Sequence, residues 1–271
     1  MGFVVLLYHR VHPELGLSPK IFRKQMEFLK NHFNLIKLEN LQNSKKFPSA
    51  MVTFDDGFSD FLFYAFPILK ELSIPAVLFV SPDRVLDTKG IRTSAEDSNV
   101  STYDAFKNSF LRGDNSPFLS WGELRYLEST GLVSVESHGL THRAVLGKGK
   151  PYKEGKDWRI FSLPEDERKR VKEGTELTSI LVSEKGKSEE ELRLSKGILE
   201  EKLGKKVKAL AWPWGIYSER AVKVARSLGY EFCFTTERGF NRGNYCRIKR
   251  LAVGNKKGMF WFRTRSLLYS L

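Results

Sequence analysis

Short apolar runs at 3–7, 51–54, 76–80, 133–137, 207–211, 232–235 and 247–253 alternate with longer stretches of helical periodicity. Strands that alternate with helices are joined by crossovers, so the chain predicts a parallel sheet covered by helices. The run at 76–80 is apolar throughout, as suits a strand covered on both faces. Helix limits are legible too. Ser18-Pro19 reads as an N-cap followed by proline, and Phe22, Met26, Leu29 and Phe33 recur on one face. Ser120-Trp121-Gly122-Glu123 matches a capping box, for a helix closed by Gly131. Further helices are expected over 58–72, 188–203 and 218–228, the last two stopped by Gly204 and Gly229. Two stretches read as insertions, one irregular at about 83–119 and one rich in Gly and Lys at about 147–187, with a short helix from Pro164-Glu165. No repeat or linker divides the 271 residues, so a single domain over 1–271 is expected.

The chemistry concentrates where strands end. Met51-Val52-Thr53-Phe54-Asp55-Asp56-Gly57 carries two adjacent carboxylates. Neighbouring side chains on a strand point to opposite faces, and two buried acids repel unless a cation or donors compensate. One Asp on a cation and one free as a base is a natural solution; an Asp-Asp-Gly turn after an edge strand is the plainer one. The run at 133–137 leads into His138-Gly139-Leu140-Thr141-His142. Imidazoles at i and i+4 share a face if a helical turn begins there, which suits two nitrogens on one metal ion. A carboxylate from Asp55-Asp56 completes a three-ligand set with open positions, the pattern of a catalytic rather than a structural site. His9, Asp55, Asp56, His138 and Trp214 all follow apolar runs. Active sites of α/β barrels and doubly wound sheets sit at such carboxyl ends, and the convergence of several favours a closed or nearly closed barrel.

The 45 Lys and Arg against 32 Asp and Glu leave a net charge of +13. Such a surface attracts an anionic glycan, a membrane surface or nucleic acid. The basic residues are spread rather than gathered into an arm, so nucleic acid is not expected. Cys233 and Cys246 form neither a CxxC nor a disulfide framework. Residues 1–10 read as a buried strand without basic leader or cleavage site, which points to a cytoplasmic protein. Residues 258–269 mix aromatics, Leu and Arg, and two readings stand: a segment in a membrane interface, giving peripheral contact with the inner membrane face, or a last helix packed on the barrel.

Taken in order, Thr53-Phe54-Asp55-Asp56-Gly57, His138-Gly139-Leu140-Thr141-His142 and Ala211-Trp212-Pro213-Trp214-Gly215 resemble the polysaccharide deacetylase family (NodB homology domain, carbohydrate esterase family 4) over roughly residues 3 to 253. The resemblance implies an α/β fold, a distorted (β/α) barrel of about seven parallel strands. It implies metal-dependent hydrolysis of an N-acetyl group on a sugar or glycan precursor. Asp55 would then be the base, Asp56, His138 and His142 the ligands of one divalent ion, and Trp212, Pro213 and Trp214 part of a sugar-binding groove wall. The ligand set suits zinc first, with cobalt, nickel or manganese also compatible. Many relatives carry, in place of Ala211, an Arg that orients the base; Arg250 is either its substitute or a surface residue. No His follows His142 to fill a late Leu-x-His motif. The pair Tyr8-His9 resembles the subgroup acting on poly-N-acetylglucosamine, which makes His9 the candidate general acid, while His12 and His32 read as ordinary polar residues. Gly139 replaces a frequent Ser or Thr and loses its hydroxyl. Two rivals stay open: a non-catalytic protein binding a glycan or another anion on the same fold, and an amidase acting on a non-sugar amide.

Overall fold

Parallel pairing orders the molecule, and a computed structural model describes residues 2–42, 48–183 and 187–270. In chain order come β1 (Phe3–Tyr8), α1 (Pro19–His32), β2 (Asn34–Leu35), β3 (Ser49–Phe54), α2 (Phe66–Leu72), β4 (Ala76–Val80), α3 (Thr102–Arg112), α4 (Trp121–Ser129) and β5 (Val133–Ser137). Next are β6 (Ala144–Pro151), α5 (Glu165–Arg168), β7 (Glu176–Ser179), α6 (Lys187–Leu203), β8 (Ala209–Ala211), α7 (Glu219–Ser227), β9 (Phe232–Phe234), β10 (Leu251–Ala252) and α8 (Met259–Ser270). The main sheet runs β10-β1-β3-β4-β5-β8-β9 with β2 beside β3, and its pairings are parallel.

One stretch of chain joins the two edges. Thr235 donates its N–H to the Ile248 carbonyl and Ile248 donates to Cys233, each at 2.8 Å. A few residues on, Leu251 and Ala252 pair with Leu6 and Leu7 of β1. The seven-strand path thus closes into a distorted (β/α) barrel. The distortion is greatest between β5 and β8, which share the single register pair Ser137–Leu210. There the buried Glu136 carboxylate takes the N–H groups of Lys208 and Ala209 at 2.8 Å each, doing the work of missing ladder bonds.

The period-2 pattern sorts the strands into two apolar layers. Val5, Met51, Val77, Phe79, Ala211 and Phe234 fill the barrel interior. Their neighbours Leu6, Val52, Phe54, Leu78 and Leu210 face outward and pack with the helices, Phe22, Met26 and Leu29 of α1 among them. The capping box at Ser120 and Glu123 has both of its hydrogen bonds, and Glu123 also holds Arg92 at 2.6 Å.

Two local expectations are corrected. The helix expected over 58–72 opens as a π-helical turn, Phe61–Ala65, in which the Phe66 N–H bonds to the Phe61 carbonyl. Pro67 in the first turn of α2 has no N–H to give, and the wider turn accommodates it. The stretch at 83–119 is not irregular throughout: α3 lies in it, capped by Ser101, ended by left-handed Gly113, and buried through Ala105, Phe106 and Ser109. Buried Arg10 fastens this insertion to the barrel, reaching the Asp60 carboxylate and the carbonyls of Ser98 and Val100 at 2.6 Å each. Burial lifts the Asp60 carboxyl to about 6 in spite of Arg10. The second insertion is an antiparallel β6–β7 hairpin with α5 inside it; residues 184–186 lie outside the described residues. Cys233 and Cys246 are free thiols.

Candidate active site

The carboxyl ends of β1, β3, β5 and β8 open on one rim. Asp55 follows β3 and donates its N–H to the Tyr8 carbonyl at 3.0 Å, which locks it to β1. Asp56 and Gly57 then turn the chain with φ of 74° and 71°. A side chain at Gly57 would meet Val80 at 2.8 Å, so only glycine fits this turn. The turn sends the two carboxylates to different partners.

Asp55 faces the interior, 2% exposed, against the fully buried Arg250. Both guanidinium nitrogens reach its oxygens at 2.7 Å, a bidentate pair. Arg250 is itself held by the Thr235 carbonyl at 2.8 Å, and its guanidinium lies over the neighbouring rings of Phe79 and Phe234 at 5.6 and 6.0 Å. Burial works to raise the Asp55 carboxyl; Arg250, followed by His138, overcomes it and holds the group below the usual carboxylate range.

Asp56 turns toward the histidines. Its Oδ1 lies 3.5 Å from His138 Nε2 and 3.4 Å from His142 Nε2. The three side chains are buried, and their donor atoms lie within 4.8 Å of one another. Burial favours a protonated Asp56, but hydrogen bonds from the two imidazoles hold it well below its ordinary range. His138 Nδ1 meets the Ala211 carbonyl at 2.8 Å. A carbonyl oxygen only accepts, so Nδ1 carries a proton. Burial works against charge on the ring, but Asp55 and Asp56 overcome it and raise its pKa, so Nε2 holds a second proton toward Asp56, the proton a metal ion on Nε2 would replace. Two nitrogens and a carboxylate oxygen converging in a buried site repel one another unless a cation or extra protons join them. That donor set fits a divalent ion, with His138 oriented from behind as metal-bound imidazoles usually are. His142 sits at φ of 51°, outside the regular helical turn expected for an i, i+4 pair. Glu191 of α6 holds that turn, accepting from Thr141 N at 3.1 Å and Thr141 Oγ1 at 2.8 Å.

The remaining expected residues divide. His9 is exposed at the end of β1, near enough for its charge to act on Asp55 and Asp56. Trp214 is half-buried and stands edge-on to the His142 ring at 4.7 Å. Trp212 is corrected as a groove wall: it is 0% exposed and sealed in the helix-packed core, because it continues the outward side of β8. Pro213 is likewise buried, beside Gly139. In their place stands a residue not assigned from sequence. Trp158, from the second insertion, stacks on Phe106 of the first at 3.6 Å and approaches His142 at 5.2 Å and Trp214 at 5.7 Å. A tryptophan in a Gly- and Lys-rich stretch was the available signal. The hairpin also sets Trp214, whose backbone is left-handed at φ of 55°: Lys150 donates to its carbonyl at 2.5 Å.

A family model described as polysaccharide deacetylase matches residues 42–233. No curated protein sequence matches the chain. Among solved structures, IcaB from Ammonifex degensii is 20% identical with a TM-score of 0.69, over 99% of this chain and 97% of that one. A polysaccharide deacetylase from Bacillus cereus is 23% identical with a TM-score of 0.68, over 98% and 69%. A de-N-acetylase from Aggregatibacter actinomycetemcomitans is 19% identical with a TM-score of 0.69, over 97% and 99%. These likenesses support the barrel described above.

Proposed function

The chain belongs to the polysaccharide deacetylase family, and from that premise we propose that it is a metal-dependent carbohydrate N-deacetylase, hydrolysing the acetamide of an N-acetylated sugar or glycan precursor. One observation carries the proposal: Asp56, His138 and His142 converge as a buried ligand set beside a separate carboxylate, Asp55, that Arg250 keeps ionised. A divalent ion there, zinc first by its ligand chemistry, supplies Lewis acidity that lowers the pKa of water and polarises an amide carbonyl.

The chain's own groups do the rest. Asp55 takes the proton of the attacking water as general base. Arg250 holds that carboxylate in orientation and charge without touching substrate. His9, exposed at the rim, gives a proton to the departing nitrogen, so that acetate and a free amine are released. Trp214 and Trp158 offer ring faces to a pyranose at the opening. The names of the structural neighbours fit an N-acetylated glycan as the substrate class. A lipid-linked or nucleotide-linked N-acetylhexosamine on the cytoplasmic side is the proposed form. The rival reading, a degenerate binding protein, has less support, because the ligand set and the base with its Arg are all in place.

Purified protein should release amine from N-acetylglucosamine oligomers, lose that activity to a chelator and recover it with zinc. His138→Ala should abolish both bound metal and turnover. Turnover by His138→Ala at the wild-type rate, or indifference to chelator, would overturn the proposal.

A further inference from the structure

α8 packs on the barrel with Met259, Trp261 and Tyr269 partly buried against the core. Its inward residues are Phe262, Ser266 and Ser270, two of them small and polar. Three of its bulky apolar residues nonetheless point outward: Phe260 is 83% exposed, Leu267 43% and Leu268 39%. Positions 260, 267 and 268 share one helix face. Phe240, 45% exposed, adjoins that helix edge-on to the half-buried Tyr269 at 5.8 Å. An apolar face of this kind on a charged protein marks a contact surface.

Its surroundings carry one sign of charge. From Arg238 to Leu271 the sequence holds nine Lys and Arg and no Asp or Glu. Folding brings three of them together: Lys257 is held below its ordinary value by burial, then by the nearby charges of Arg238 and Arg265. Arg238, Lys257, Arg263 and Arg265 make no ion pair among the described residues. Like charges gathered without an acid raise the energy of the free protein, and an anionic surface relieves it. Lys257 also lies 4.0 Å over the Trp261 ring, so cation and aromatic share one edge. No helix among the described residues is long and apolar enough to cross a membrane. The face is suited to lying on a bilayer, not to spanning it.

We propose that α8 and the adjoining 238–242 loop dock the protein on the surface of an anionic lipid bilayer, with Phe260, Leu267 and Leu268 in the interface and Arg238, Arg263 and Arg265 on lipid headgroups. α8 follows β10 and runs back along β1 and α1 to the 238–242 loop, whose Asn241 meets the Phe3 carbonyl at the amino end of β1, so the docked surface lies along the side of the barrel. The surface stands apart from the catalytic reading and is tested without it.

Vesicles of phosphatidylcholine, and of phosphatidylcholine with equimolar phosphatidylglycerol, serve as the probe in co-sedimentation at physiological salt. The wild type should bind only the mixed vesicles, with a blue shift of tryptophan emission. F260S/L267S, which leaves net charge unchanged at exposed positions, should lose binding. R263E/R265E should weaken it at least about twenty-fold, from the effect of basic side chains near an anionic surface. K223E/R226E, the same charge change on exposed positions of α7, should bind as the wild type does. Undiminished binding by F260S/L267S, or equal losses in the two charge-reversal variants, would reduce the effect to net charge and overturn the proposal. So would a stable dimer that F260S/L267S dissolves while vesicles go unbound, since the face would then belong to a second copy.

Discussion

Replacing Arg250 by Met tests the heart of the site. The variant keeps the length and much of the volume of the side chain but removes both 2.7 Å bonds to Asp55. Asp55 then stands 2% exposed in the barrel interior with its charge unmatched. Breaking a buried pair from one side costs about 3–5 kcal/mol. Against a total stability of about 5–15 kcal/mol, that is a large fraction. For a chain of this size it lowers the melting temperature by roughly 10 °C. The pH response follows from sign. In the wild type Asp55 titrates below its unfolded value of about 3.9. Its stabilisation is therefore complete above that value and is lost as pH falls through the folded pKa. Without Arg250, burial dominates and pushes the carboxyl up, so the acid limb of kcat/KM moves to higher pH. Each unit of movement removes about tenfold of the base form at a given acidic pH. Arg250→Lys should fall between, since one ammonium cannot make both bonds. The assays are thermal melts across pH and a pH profile of amine release. An Arg250→Met protein with the wild-type melting curve and an unmoved acid limb would refute the idea that this pair sets the base.

Three more outcomes are expected. His9→Gln should lower kcat by about 10²–10⁴-fold, the usual contribution of a general acid, with bound zinc unchanged by metal analysis. Glu191→Ala frees the Thr141 turn that carries His142, and metal affinity should fall about 10–100-fold in a chelator competition. Trp158→Ala removes a ring face at the opening; with an aromatic contact worth about 0.5–1.5 kcal/mol, KM for a sugar oligomer should rise up to about tenfold while kcat holds.

Much of this protein is written locally. Apolar runs spaced by helical periods require crossovers and parallel pairing, because each element must hide its apolar side. The Asp55-Asp56-Gly57 turn and the His138–His142 spacing are short-range patterns, and their residue types limit the chemistry before any coordinates exist. Pairings between distant stretches are of another kind. Arg250 meets Asp55 across 195 residues only because a late segment bridges β9 and β1 and thereby closes the ring. Trp158 and Phe106, from separate insertions, become one stack beside His142, while Trp212, one residue past the inward Ala211, is sealed in the core by the alternation of its strand. Residue type and spacing act over a few positions along the chain, whereas burial and partnership depend on which far segments the closed barrel brings within contact distance.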